Sequence, residues 1–256
     1  MLKSRVLGAL LLAVTLSSCD KNAVQDITGP VPGARIRFFN FGVNGPGVNF
    51  YADATKMTAI TSATGAESTT GVIYGGVGSA GFYSAIEPGP RTLTGKIAAT
   101  VDKDVTISTV TTTLSDGKAY SYVISGFYNT TTKIVEAFVV EDPFISNIDY
   151  TVAYVRFVHA ISNAAPLTLY ARNTTTLAEV PVGAAVAYKA AGAFTSLPAG
   201  VYDLGARLTG VTTNAVGRTA VSLVAGKVYT IGARGDITVV STTAINRPFL
   251  NNTANR

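Results

Sequence analysis

The 256-residue chain has one cysteine, one histidine, no tryptophan and few charges, and these shortages narrow what it can be. With Cys19 alone no intrachain disulfide can form, so the fold is held by packing even in an oxidising compartment. With His159 alone most zinc sites are excluded, because three or four His, Cys or carboxylate ligands would have to gather around one imidazole. Charged residues make up 14% of the chain, where about 25% is usual. The net charge of +5 includes Lys3 and Arg5. Without them it falls to about +3, too weak and dispersed to argue for nucleic acid. The apolar stretch at residues 6–16 is too short to span a bilayer, which takes about 20 residues. Glycine, threonine, valine and tyrosine are plentiful, which is the material of strands and turns.

The first residues read as an export signal: Lys3 and Arg5, the apolar stretch, then small residues before Cys19. Leu16-Ser17-Ser18-Cys19 resembles the lipobox of bacterial lipoproteins. That resemblance implies removal of residues 1–18 and acylation of Cys19, and several acyl chains at about 0.8 kcal/mol per buried CH₂ make a durable membrane anchor. The cysteine is then committed to lipid, which excludes Cys–His nucleophilic pairs. Asp20 follows the lipidated position. In the enterobacterial sorting rule an aspartate there retains a lipoprotein in the inner membrane, but the rule varies among phyla and either membrane stays open. Residues 19–33, with Pro30, Pro32 and two glycines, read as a tether.

The rest of the chain is written twice. Leu114-Ser115-Asp116-Gly117-Lys118-Ala119-Tyr120 returns as Leu223-Val224-Ala225-Gly226-Lys227-Val228-Tyr229. This L-x-x-G-x-x-Y phrase has the form of a tyrosine corner. Gly117 and Gly226 suit a positive φ, while Tyr120 and Tyr229 are expected to bury a ring and satisfy a backbone carbonyl. Arg35-Ile36-Arg37-Phe38-Phe39-Asn40 matches Tyr154-Val155-Arg156-Phe157-Val158-His159, and Phe50-Tyr51 matches Leu169-Tyr170 in the same register. Gly81, Ile86 and Gly89 match Gly192, Leu197 and Gly200. Offsets between the matching blocks shrink along the chain, as they do when loops change length.

The expected architecture is all-β: two tandem Ig-like, Greek-key β-sandwiches at residues 34–145 and 152–245, joined near Glu141-Asp142-Pro143, with residues 246–256 as a tail. Tyr202, Leu204, Ala206 and Leu208 alternate with Asp203, Gly205 and Arg207 in a period of two. Residues 134–140 and 237–240 are expected to close the two units. Residues 184–191 are alanine-rich, but the matching slot at residues 71–78 is too glycine-rich for a helix, so both are expected to be strand or extended loop.

With Arg156-Phe157-Val158-His159-Ala160, Leu167-Thr168-Leu169-Tyr170, Leu197-Pro198-Ala199-Gly200-Val201-Tyr202 and the phrase ending at Tyr229, the second unit resembles the bacterial domain of unknown function 4397 family. The first unit departs from the pattern, with Asn40 in place of the histidine, and reads as a diverged copy. The resemblance implies an exported, often lipid-anchored, β-rich envelope module. It brings no established catalytic residues.

The residues left to carry chemistry are few. A Ser-His-Asp arrangement through His159 is formally open, but the match to Asn40 points to a structural hydrogen-bonding role. No acidic position of the aligned blocks is shared by both units, so what repeats is a scaffold; a carboxylate-dependent hydrolase would have to be built in one unit alone. Asp102 and Asp104 fall short of the six to eight oxygens of a calcium site. Arg234-Gly235-Asp236 sits where a turn is expected. Arg37 and Arg156 could meet an anionic ligand, or deter aggregation from a strand edge or sheet face. Tyr51 and Tyr170 are the candidate ligand surface, as a stacking platform for a glycan. The expectation is therefore a non-catalytic envelope lipoprotein without cofactor or metal, whose partners are the membrane through Cys19 and an envelope protein or a glycan.

Overall fold

The computed structural model describes residues 33–58, 64 and 67–255. Cys19 and nearly all of the stretches expected as signal segment and tether lie outside the described residues. Within them the chain is all-β. The N-terminal half supplies β1 (Ala34–Asn40), β2 (Val48–Ala52), β3 (Thr55–Lys56), β4 (Gly76–Val77), β5 (Ser84–Ile86), β6 (Gly89–Ile97), β7 (Thr106–Leu114), β8 (Ala119–Asn129) and β9 (Ile134–Asp142). The C-terminal half supplies β10 (Val152–His159), β11 (Leu167–Asn173), β12 (Glu179–Pro181), β13 (Thr195–Pro198), β14 (Gly200–Leu208), β15 (Val216–Leu223), β16 (Val228–Arg234) and β17 (Phe249–Ala254).

Both halves are sandwiches with the same strand plan. One sheet runs β4-β1-β8-β9, with β5 also pairing β1, and faces a sheet ordered β3-β2-β6-β7. The other pair runs β13-β10-β16-β17 and β12-β11-β14-β15. In each half the first strand lies parallel to the strand that follows the tyrosine phrase, β1 against β8 and β10 against β16. A parallel neighbour cannot be reached by a tight hairpin, so the chain must cross to the second sheet and back before it returns.

Alternation along the strands fills each core. Ile36, Phe38, Tyr122 and Ile124 from one sheet meet Val48, Phe50, Leu93 and Ile97 from the other. The rings of Phe38 and Phe50 stack at 5.0 Å, and Tyr122 stands edge-on to Phe50 at 5.6 Å. The Tyr122 hydroxyl, buried among them, donates to Ser108 Oγ at 2.9 Å. Burying each such ring is worth roughly 1.5–3 kcal/mol. The second core is smaller in its residues, with Val155, Phe157 and Ile231 packed on Leu169, Leu204 and Ala206.

Two expectations about the second half are corrected. The stretch expected as a tail, residues 246–256, contains a strand: β17 pairs with β16 from Tyr229↔Ala254 to Arg234↔Phe249, and Leu250 is fully buried in the core. The residues 237–240, expected as the closing strand, form no strand. Asp236 binds them into a turn, its Oδ1 accepting from the Thr238 N–H and hydroxyl at 3.0 and 2.6 Å. Asp142, expected in the junction between the units, is the last residue of β9 and is buried. The slots at residues 71–78 and 184–191 contain no α-helix: the first holds a bridge at Val72, β4 and the start of a 3-10 turn at Gly78–Gly81, and the second is loop with bridges at Val186 and Ala191.

Candidate functional site

The side chains that strand alternation turns away from the two cores are buried as well. Arg37 and Phe39 on β1 and Ser121 and Val123 on β8 face away from the N-terminal core; Arg156 and Val158 on β10 and Thr230 and Gly232 on β16 do the same in the C-terminal sandwich. These two sheet faces pack on each other. Phe39, Phe41, Val123 and Phe138 from one side form a third apolar cluster with Val158 and Ala160 from the other. Gly232 lets Phe41 approach, since a Cβ there would lie 3.0 Å from the ring.

Beside this apolar patch lies a polar clasp. Arg37 and Arg156 are 0% and 1% exposed, which corrects the expectation of sheet-face arginines open to a ligand or to solvent. Arg156 crosses to the other sandwich, where Nη2 donates to Asp142 Oδ1 and Nη1 to the Glu141 carbonyl at 2.9 Å. Arg37 crosses the opposite way, with Nη1 donating to the Ala254 carbonyl at 3.2 Å and Nη2 to Asn255 Oδ1 at 3.2 Å. The two reaches are equivalent, because Glu141-Asp142 and Ala254-Asn255 occupy the same places where the last strand of each sandwich ends. Ser121 donates to Asp142 Oδ2 at 2.7 Å as Thr230 donates to Asn255 Oδ1 at 2.9 Å. Each guanidinium lies over a ring at matching positions, Arg37 over Tyr83 at 4.3 Å and Arg156 over Phe194 at 5.1 Å. Such reciprocity is the mark of a two-fold interface, formed here within one chain.

The symmetry breaks at one point. Asp142 carries a charge and its counterpart Asn255 does not. Asp142 therefore serves both cations, its Oδ2 also lying 3.5 Å from Arg37 Nη2 and accepting from the Tyr83 hydroxyl at 2.6 Å. Two guanidinium groups share one carboxylate out of water. Burial pushes the Arg156 guanidinium down to about 10, against a favourable field from Tyr83, and lowers Arg37 for the same reason.

The flanks of the seam repeat the reciprocity. Tyr188 from the C-terminal sandwich donates to Glu136 Oε2 at 2.6 Å and shares a hydrogen bond with Ser125 at 2.9 Å in the N-terminal one. On the other flank Tyr74 lies under the Arg234 guanidinium at 4.6 Å, and Asn251 Nδ2 donates to the Gly75 carbonyl at 3.0 Å.

The tyrosine phrases stand where expected. Gly117 and Gly226 have φ of 69° and 74°, and Tyr120 and Tyr229 are buried. Their hydrogen bonds differ from expectation: each hydroxyl accepts a backbone N–H, from Ser115 at 3.0 Å and from Val224 at 3.1 Å, rather than meeting a carbonyl. His159 and Asn40 do one job with different atoms. His159 Nδ1 accepts the Ile161 N–H at 3.2 Å and its Nε2 faces the Ala165 carbonyl at 3.3 Å. Asn40 Oδ1 accepts the Gly42 N–H at 3.2 Å and its Nδ2 donates to the Pro46 carbonyl at 3.1 Å. Burial lowers the His159 pKa, with the Ala165 carbonyl opposing.

Tyr51 and Tyr170 are half-exposed on the outer sheets, with Phe50 and Leu169 turned into the cores. One face of each ring is covered by a cation at a matching position, Lys96 at 4.5 Å and Arg207 at 4.3 Å. Arg234 donates from Nε to Asn251 Oδ1 at 2.6 Å and Asp236 is held by Asn163 and Thr238, so the tripeptide is engaged inside the fold. Asp102 pairs with Lys133. Among the described residues no three His, Cys, Asp or Glu side chains gather as a metal site, and no helix is long and apolar enough to cross a membrane. The residues that sequence reasoning missed are Asp142, Asn255, Tyr83 and Phe194; the one signal for them was that Arg37 and Arg156 recur in register.

The profile of the domain of unknown function DUF4397 matches residues 153–255, from the second residue of β10 to just past β17. This supports that family for the C-terminal sandwich. Among solved structures, the Bacillus anthracis TIE protein is similar over 80% of this chain and 34% of its own, at 12% sequence identity and a TM-score of 0.24. The chain spans about a third of that protein's length. No curated protein matches the chain.

Proposed function

We propose that the chain is an exported envelope lipoprotein, held at a membrane by acylated Cys19, in which two tandem Ig-like copies of one domain are clasped into a single non-catalytic binding scaffold. The observation that carries the reading is the reciprocal reach of Arg37 and Arg156 to matching atoms of the opposite sandwich. Matching partners on both sides are what tandem copies of a self-associating domain would leave behind. The clasp also consumes groups that a reaction would need: two arginines, a carboxylate and a tyrosine hydroxyl are tied to one another.

The scaffold reading gives the tether a purpose. Residues 19–33 lead straight into β1, whose Arg37 belongs to the clasp, so a lipid at Cys19 would carry both sandwiches as one body. Growth of the native host with radiolabelled palmitate tests the anchor. Label in the wild-type protein that disappears in Cys19→Ala, with the variant leaving the membrane fraction, is the expected result. Equal membrane recovery of an unlabelled wild-type protein would overturn the anchor.

A further inference from the structure

Outside the seam, the C-terminal sandwich carries a groove of about 980 Å³ along β14 and β15. Four arginines line it, Arg172, Arg207, Arg218 and Arg247, against two carboxylates, Glu179 and Asp203. Arg207 is bound to Glu179 by two hydrogen bonds of 2.7 Å, and the Asp203 carboxylate accepts the Ala220 N–H at 3.0 Å. Arg218 and Arg247 donate to the neutral Leu250 and Ala244 carbonyls at 2.9 and 3.0 Å. Neither forms an ion pair among the described residues, so the groove keeps an excess of positive charge.

Apolar side chains line the groove as well, beside Ser241 and Thr242. Among them are Ile237, Val239 and Val240, and Val240 is 95% exposed. The N-terminal sandwich lacks two of these cations: by strand register Asp53 and Val110 stand at the places of Arg172 and Arg218.

We propose that this groove binds an acidic polysaccharide, a chain of carboxylate-bearing sugars whose anionic groups meet Arg172, Arg218 and Arg247 while the apolar faces of its rings lie on Val239 and Val240. A uronate ring has both parts, a carboxylate at its edge and a C–H face, and guanidinium groups match carboxylates in planar, two-pronged fashion. An acidic peptide fits less well. It would dock by extending the sheet from β15, and that edge is broken by a register shift and by Ala220 at a φ of 56°. The site stands on the groove alone; only the source of the glycan rests on the envelope reading.

The test is titration of the purified full chain in detergent with polygalacturonate, poly-L-glutamate of equal charge, and neutral dextran. Polygalacturonate should bind, weaken with salt, and exceed polyglutamate by about tenfold, with dextran silent. Arg172→Gln and Arg247→Gln should each weaken binding about tenfold. Val240→Asp changes a side chain that lies in solvent, so it leaves the fold intact and should also abolish binding. Polyglutamate binding as tightly as polygalacturonate, no binding by the wild-type protein, or full binding by Val240→Asp would each overturn the proposal. Because the assay uses purified protein, it succeeds or fails independently of palmitate labelling.

Discussion

Arg37 and Arg156 hold matching positions on the first strands of the two sandwiches and reach past each other in opposite directions, each to the last strand of the other. A pair of ordinary strand arginines thereby becomes the centre of a buried seam, and the seam depends on the one carboxylate both can use, Asp142.

Asp142→Asn should be among the most damaging single changes in the molecule. It leaves two buried guanidinium groups without their anion, and breaking a buried pair in this way costs about 3–5 kcal/mol. Urea denaturation measures it, and a double-mutant cycle with Arg156→Met should show strong coupling, the second change restoring part of what the first removes.

Asn255→Asp should act in the opposite direction. The Asn255 oxygen already accepts from Arg37 Nη2 and Thr230 Oγ1, so a carboxylate would fit the same donors and give Arg37 an anion of its own. A gain of about 1 kcal/mol is expected in the same denaturation experiment. A loss would mean that Asp142 lies too near for a second charge.

Tyr229→Phe should lower stability by about 1 kcal/mol through the Val224 N–H that the hydroxyl satisfies. An unchanged denaturation midpoint would remove the corner from the account.

The His159 imidazole is held below its ordinary pKa by burial, and its Nδ1 accepts a backbone N–H that protonation would repel. The unfolded chain therefore takes up this proton at higher pH than the folded one. Stability is full above about pH 6.5 and declines as pH falls through the range below it. His159→Asn, which copies Asn40, should remove that part of the acid sensitivity while keeping the hydrogen bonds. Identical pH profiles for the two proteins would contradict the assignment.

Much of the fold could be read from residues. The phrase ending at Tyr120 and Tyr229 located the strands that follow it, and the match of Asn40 to His159 foretold their shared bonding role. The closing strand of the second half was missed because its signal is weak: of Phe249-Leu250-Asn251-Asn252-Thr253-Ala254, only Leu250 is fully buried, since the opposite face belongs to the seam. Ile237-Thr238-Val239-Val240 drew the assignment instead, having β-branched residues throughout, yet Asp236 folds it into a turn. The clasp was illegible for another reason. Arg37 and Asp142 are more than a hundred residues apart, and Asp142 sits beside a proline where a linker was expected. Only the packing of one sheet face on another makes a sheet-face arginine a buried one.

The central claim is that the seam makes two sandwiches one cooperative body. Hydrogen exchange followed by mass spectrometry at rising urea concentration tests it, comparing peptides from β6 and β14, which lie in the two cores away from the seam. Both sets should lose protection at the same urea concentration in the wild-type protein and at separate concentrations in Asp142→Asn. Separate transitions already in the wild-type chain would contradict the claim.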